Sequence, residues 1–377
     1  MRHVKPFMLL FLWLAVSAVV GQTTADEFYD RANIRRKSGD TAGAIADYTK
    51  AIEINPAIAK AYVERGSLLC SQGDFDRAIE DDTKAILLEP SFYPAYVGRA
   101  VAYNSKGNFD LAVADASKAI EIDPGAAEAY KVRGYAFLRK YDYKAALPDY
   151  DRSIELGLTT APVYLNRSVA REGLSDFGGA IIDQTRAIEM DPKFVRAYAN
   201  RAISRRSFGD YYGAIADYNK VLEFDPSDKF SVLGRAWAKL FMNDGPGAYE
   251  DATQFLQVNG VAPGDGPYAV AIAYIGLRKS GKTAAAKSFL TGSLKKLTAS
   301  EWPTQLLKVM AGQVTAAQLL EQATDDAART EAHAFIGVTS LLNGDTKDAA
   351  VHFQWDKDHG NRDRIAYQLA RVEFARL

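Results

Sequence analysis

AKAYVERGSLLCSQGDFDRAIEDDTKAILLEPSF, residues 59–92, carries a pattern that returns every 34 residues along the chain. Copies start at Ala25, Ala59, Tyr93, Ala127, Ala161, Val195 and Lys229. Numbered from 1 to 34 within a copy, position 8 is always small: Ala32, Gly66, Ala100, Gly134, Ser168, Ala202 and Ala236. Position 20 is alanine throughout, from Ala44 and Ala78 to Ala214 and Ala248. Position 4 is aromatic in six copies (Phe28, Tyr62, Tyr96, Tyr130, Tyr164, Tyr198) and Val232 in the seventh. A unit copied in tandem buries its apolar face against its neighbours, so the fold follows from the copying.

At about 100° per residue, positions 4, 7, 8 and 11 share one face of a helix. Positions 20, 21, 24, 27 and 28 form a matching stripe on a second helix. Between them, position 16 is Asp or Asn in every copy (Asp40, Asp74, Asn108, Asp142, Asp176, Asp210, Asp244). That residue is read as an N-cap, its side-chain oxygen accepting an orphan backbone N–H. Gly39, Gly73, Gly107 and Gly209 stand just before it, as at a helix C-terminus. Proline at position 32 (Pro56, Pro90, Pro124, Pro192, Pro226) stops the second helix. Each copy therefore predicts a helix–turn–helix hairpin.

Residues 25–262 resemble the tetratricopeptide repeat (TPR) at nearly every signature position. The resemblance implies an all-α fold: a right-handed superhelical solenoid of antiparallel helix hairpins, with degenerate capping helices at its C-terminal end. One departure recurs. Position 7, Leu in the general family pattern, is Arg31, Arg65, Arg99, Arg133, Arg167, Arg201 and Arg235. Position 23 is Asp47, Asp81, Asp115, Asp149, Asp183, Asp217 and Asp251. Both lie eight residues from the turn, so an antiparallel hairpin sets them level. An ion pair inside each hairpin is expected. In two weaker copies, starting near Pro267 and Thr330, both charges vanish together (Ala273 with Phe289, Ile336 with His352).

Charge is nearly balanced, 46 basic against 47 acidic residues, which gives no support for nucleic-acid binding. Cys70 is the only cysteine, so no intrachain disulfide or cysteine metal cluster is available. Residues 1–24 read as a secretory signal that is cleaved, with an uncleaved anchor as the alternative. Arg2, His3 and Lys5 precede the apolar run Phe7–Val20, and small residues follow near Gly21 to Ala25. Fourteen apolar residues fall short of the roughly 20 that span a bilayer, so no stable membrane anchor is expected after cleavage. Export to a bacterial periplasm follows as the expectation.

The seven regular copies (25–262) run without linkers. Pro148, inside the second helix of copy four, is expected to kink it. Gly157 and Leu158 replace the usual ending there, predicting an altered junction with copy five. The Gly/Pro-rich stretch 259–267 marks a loop. In 263–377 the pattern degrades: a hairpin around Gly281, two short helices breaking at Gly312, a hairpin around Gly344, and a closing helix over 361–376. Residues 300–377 resemble NlpI-type TPR proteins of bacterial envelopes at Trp302, Leu306–Leu307, Gly312, Val314, Thr315, Leu319, Glu331, Ile336–Gly337, Gly344–Asp345, Ala349 and Phe353. That resemblance implies an adaptor docking cell-wall hydrolases or proteases. The chain lacks that group's lipid-site cysteine.

No catalytic residue, metal set or cofactor site is read. Residues 276–283, GLRKSGKT, fit a P-loop pattern. A P-loop needs a strand before it, and here a helix precedes. The four histidines all lie outside the seven copies. His352, Asp356 and His359 share a helical face, read as a solvated helix end.

In TPR proteins, positions 2, 5, 9, 12 and 13 line a concave groove that takes peptides. The residues read as peptide-binding are Lys60, Val63, Ser67, Val97, Val101, Asn104, Lys131, Tyr135, Leu138, Asn166, Val169, Arg196, Asn200 and Ile203, with Leu165 on the same face. Family members that clamp a C-terminal carboxylate offer a partial match at Lys131, Asn166 and Arg196, departing at Tyr135 and Asn200. The leading expectation is a non-enzymatic scaffold in the cell envelope that binds a protein or peptide through this groove. The alternative is the adaptor acting through its C-terminal region.

Overall fold

The computed structural model describes residues 24–261, 264–297 and 301–377. Most of the stretch read as a leader, residues 1–23, lies outside them. Every regular element among the described residues is an α-helix. Contacts divide the chain into two compact units, one ending at Leu174 and the other beginning at Ser175.

The first unit holds α1 (Ala25–Lys37), α2 (Thr41–Ile54), α3 (Ala59–Ser71), α4 (Phe75–Leu88), α5 (Tyr93–Lys106), α6 (Phe109–Ile122), α7 (Ala127–Arg139), α8 (Tyr143–Glu155) and α9 (Ala161–Gly173). The helices pair as α1/α2, α3/α4, α5/α6 and α7/α8, and each pair packs on the next. Ala32, Ala44, Ala78, Ala100, Ala112 and Ala146 are fully buried. The methyl-sized residues at positions 8 and 20 let paired backbones close up. The core is a series of small clusters between hairpins, as expected where each copy touches only its neighbours.

Thr24 caps α1 in a capping box: Glu27 N donates to its Oγ1 at 3.2 Å, and Thr24 N donates to Glu27 Oε2 at 2.7 Å. The Asp residues at position 16 accept from the backbone N–H three residues on, as Asp40 does from Gly43 at 2.9 Å. Asn108 is the exception and makes no side-chain cap bond. Position 15 is left-handed in every copy, and in three it is not glycine: Tyr141 (φ 61°), Ser175 (φ 61°) and Asn243 (φ 64°).

Helix α8 continues through Pro148 from Tyr143 to Glu155. The change in copy four comes after it, where Gly157 takes φ 95°. Thr160 then enters α9 in an extended conformation (φ −125°, ψ 154°), whereas Ile58 enters α3 at ψ 87° and Phe92 enters α5 at ψ 83°.

The second unit holds α10 (Phe177–Met190), α11 (Val195–Phe208), α12 (Tyr211–Phe224), α13 (Lys229–Phe241), α14 (Gly245–Asn259), α15 (Asp265–Lys279), α16 (Thr283–Leu294), α17 (Trp302–Met310), α18 (Ala316–Gln322), α19 (Asp326–Leu342), α20 (Thr346–His359) and α21 (Ile365–Phe374). Here one continuous apolar core runs from Val232 to Ala370, with large side chains such as Trp237, Phe241, Phe335 and Phe353. Helices α14 and α15 meet backbone to backbone. A Cβ on Gly245 would lie 2.7 Å from Gly276 O, and one on Gly276 would lie 2.6 Å from Gly245 O.

Candidate functional site

The position-7 arginines are fully engaged in packing. In the six hairpins that lie within one unit, Arg and Asp form a two-pronged pair: Arg99 Nε and Nη2, for example, donate to Asp115 at 2.7 and 2.8 Å. The same holds for Arg31–Asp47, Arg65–Asp81, Arg133–Asp149, Arg201–Asp217 and Arg235–Asp251. The third prong, Nη1, crosses to position 25 of the preceding copy. Arg65 reaches Thr49 at 3.0 Å, Arg133 reaches Ser117 at 3.1 Å, and Arg235 reaches Asn219 at 2.7 Å. The aromatic at position 4 stacks on the same guanidinium, as Tyr130 does on Arg133 at 5.7 Å. The pairs thus tie each hairpin internally and to the one before it. The position-25 acceptors (Thr49, Thr83, Ser117, Asp151, Thr185, Asn219) were a legible signal that the sequence reading missed.

The first helices of each copy carry the residues read as peptide-binding. Lys60 and Ser67 are exposed, and Val63, Val97 and Val169 half-buried. Leu138 and Leu165 are corrections: both are buried, at 8% and 1% exposed. Leu138 packs with Tyr150 and Val163 under copy five rather than facing solvent.

Five predicted residues converge in the first unit. Val101, Asn104, Lys131, Tyr135 and Asn166, joined by Ser105, Val132 and Arg139, line a hollow of ≈ 370 Å³. Asn104 is buried and its Nδ2 donates to Val132 O at 3.0 Å. Its Oδ1 has no protein partner. Arg139 donates Nη1 to the Tyr135 hydroxyl at 3.0 Å and lies 5.1 Å from the Phe109 ring centre. Lys131 pairs with Glu128 one turn back. Below, Tyr150 is fully buried beside Asn166, and burial pushes its phenol far above the usual range. The hollow therefore offers two cations, two amides and an aromatic edge. Arg139 and Ser105, both at position 13, were not singled out from the sequence, although their position belongs to the lining set.

Arg196 and Ile203 are exposed and Asn200 half-buried on α11, in the second unit. There the lining face is covered by the chain itself. Gln368 Nε2 on α21 donates to Ser207 Oγ at 3.3 Å, Lys279 Nζ pairs with Glu373 at 3.0 Å, and Arg376 donates to Phe241 O. Ser207, Phe241 and Lys279 each hold position 13 in successive hairpins. The closing helix lies along three copies of the face that the sequence reading assigned to a ligand.

The P-loop pattern has other work throughout. Gly276 packs against Gly245, Gly281 makes the turn at φ 74°, and Lys279 holds Glu373. Among the described residues no three His, Cys, Asp or Glu side chains gather as a metal set. His333 and His352 instead share one hydrogen bond, Nδ1 to Nδ1 at 2.9 Å, with His333 stacked on Trp355 at 3.9 Å. Asp356 is buried rather than solvated, contrary to the reading of a hydrated helix end. Burial and Asp82 push the Cys70 thiol up, away from thiolate chemistry.

Two family models, both described as tetratricopeptide repeat, match the chain, one over residues 29–91, 71–127 and 97–157 and the other over 195–228. No curated protein matches. Similar solved structures include YrrB, titled a TPR protein with an unusual peptide-binding site (23% identity, TM-score 0.43, covering 49% of this chain and 95% of that one). A tetratricopeptide repeat protein from Parabacteroides merdae is 18% identical with a TM-score of 0.46, covering 68% of this chain and 100% of its own. Pseudomonas aeruginosa pilF is 19% identical with a TM-score of 0.45, covering 58% and 96%. The matched stretches, 29–157 and 195–228, and the paired helices that carry them show that this chain contains tetratricopeptide repeats.

Proposed function

We propose that the chain is a non-enzymatic scaffold that holds a protein or peptide segment against the first helices of copies three to five. The observation that carries this reading is the ≈ 370 Å³ hollow, where Lys131, Arg139, Asn104 and Asn166 surround an apolar floor of Val101 and Val132. Cations and amides of this kind grip backbone carbonyls and carboxylates, while the floor takes an apolar side chain. Arg99 and Arg133, held by Asp115 and Asp149, take no part.

The basic start and the Phe7–Val20 run support export through a cleaved signal, and the scaffold is proposed to work in a bacterial envelope compartment. Among the described residues no helix is long and apolar enough to cross a membrane.

The test is affinity capture by residues 22–377 from an envelope extract, beside Lys131→Glu/Arg139→Glu and, separately, Arg196→Glu. Partners lost only with the first variant support binding in the hollow. Partners retained by both variants place recognition elsewhere and refute this site.

A further inference from the structure

The second unit contains a hollow of ≈ 380 Å³ whose lining includes Arg206, Tyr218, Phe230, Leu233 and Trp237. Its size falls at the lower end of small-ligand sites, about 300–1,000 Å³. Arg206 and Arg364 are the cations in its lining. Arg206 Nε and Nη1 are sealed from water and have no hydrogen-bond partner. The neighbouring Arg205 shows the ordinary arrangement, paired with Asp217 at 2.8 Å. The Tyr218 phenol hydrogen-bonds Arg206 but, kept protonated by burial, brings no charge to balance the guanidinium.

The carboxylates that line the same hollow do not answer Arg206. Glu331 is saturated: Arg364 lies 3.1 Å from Oε1, while Tyr268 and Trp302 donate to Oε2 at 3.0 and 2.8 Å. Asp363 is exposed and Asp265 half-exposed, so water screens them. Arg206 is half-buried, and donors sealed without a partner are costly unless an acceptor completes them. The wall beside it is apolar and partly open: Phe230 is 67% exposed, and Leu233 and Trp237, themselves buried, line the same space.

We propose that this hollow binds a small monocarboxylic acid with an aromatic or branched apolar body. Its carboxylate sits on Arg206 and its body lies against Phe230, Leu233 and Trp237. Arg364 is taken by Glu331, so one guanidinium is left to answer one carboxylate, which sets the preference for monoacids. The site is independent of the peptide-binding hollow of the first unit.

The experiment is calorimetric titration of residues 22–377 with 3-phenylpropionate and, as the uncharged isostere, 3-phenylpropionamide. The acid is expected to bind at one site and the amide not to bind. Arg206→Met is expected to weaken the acid about tenfold or more, the share of a charge-assisted hydrogen bond, while melting at the same temperature as the parent or higher. Phe230→Ala, at an exposed position that the fold tolerates, is expected to weaken the acid several-fold. Absence of saturable acid binding to the parent chain, or equal binding of acid and amide, overturns the proposal.

Discussion

Arg65 clasps the Asp81 carboxylate with Nε at 2.8 Å and Nη2 at 2.7 Å, from the far side of a 16-residue hairpin. The side chains are 15% and 8% exposed, so removing one partner strands a charge in low dielectric. Asp81→Ala is expected to cost about 3–5 kcal/mol. The double replacement Arg65→Met/Asp81→Leu removes both charges together and is expected to recover most of that loss. Urea unfolding of the two variants and the parent checks this. A double variant weaker than Asp81→Ala would show that the bond to Thr49, rather than the pair, holds the hairpins.

One position further on, Asp82 makes the opposite case. It is 1% exposed, its Oδ1 has no partner, and burial, reinforced by Asp81, pushes its pKa to about 8. An unfolded aspartate titrates near 3.9. Between those values the native chain holds a proton that the unfolded chain has lost. Stability therefore falls as pH rises from about 4 to about 8, then levels. Asp356, also raised to about 8 by burial, adds to the same slope. Asp82→Asn is expected to flatten its share, measured by melting temperatures from pH 4.5 to 8.5. An unchanged slope would place Asp82 in contact with water.

Asp82 also shows where the sequence stopped being legible. Positions 4, 7, 8, 16, 20 and 23 repeat in type, so hairpin, cap and ion pair could be read by comparing one copy with the next. Position 24 does not repeat: Tyr48, Asp82, Ala116, Tyr150, Gln184, Tyr218, Ala252. Its partner is position 6 of the following copy, where Gly98 meets Asp82 and Gly234 meets Tyr218. Gly98 and Gly234 leave room for the side chain at position 24, a pairing that a position-by-position comparison hides. Leu138 and Leu165 were misplaced for a related reason. The periodicity fixed their helix face but not whether it was covered; Leu138 is covered in the cluster that holds Tyr150 and Val163. The covering of the second unit's face by α21 is a contact between distant segments, and no repeat pattern encodes it.

Gly234 gives a sharp test of that pairing. A Cβ there would lie 2.5 Å from Tyr218 Cζ, and Tyr218 is 3% exposed. The ring has no free direction to yield. Gly234→Ala is expected to destabilise by about 1–3 kcal/mol, the usual effect of overpacking, and Gly234→Ala/Tyr218→Ala to lose the clash term. Thermal unfolding of the single and double variants separates the clash from the loss of the ring.

Tyr141 holds a left-handed conformation, φ 61°, with its side chain 78% exposed. Glycine occupies the same position in the copies turning at Gly39, Gly73, Gly107 and Gly209. An L-residue there carries about 1–2 kcal/mol of strain, partly offset by the larger unfolded-state entropy of glycine. Tyr141→Gly is expected to stabilise by about 0.5–1 kcal/mol. A lower denaturation midpoint would assign the edge contact with Tyr143 at 6.4 Å more weight than the strain.

Glu373 is the residue on which the seating of α21 turns. It is 1% exposed, with Oε2 3.0 Å from Lys279 and Oε1 2.5 Å from Arg376. Glu373→Gln leaves two buried-side cations facing a neutral amide, so the closing helix loses its anchor while the apolar seats of Leu369 and Ala370 remain. Local release should exceed global destabilisation, because terminal segments open at lower free energy than the core. Trypsin cleavage at the exposed Arg371 is expected to accelerate well before the thermal midpoint moves. Ser207→Ala, which removes only the 3.3 Å bond to Gln368, should change little. If Glu373→Gln instead lowers the midpoint in step with cleavage, α21 is an integral part of the core rather than a helix laid upon the repeat face.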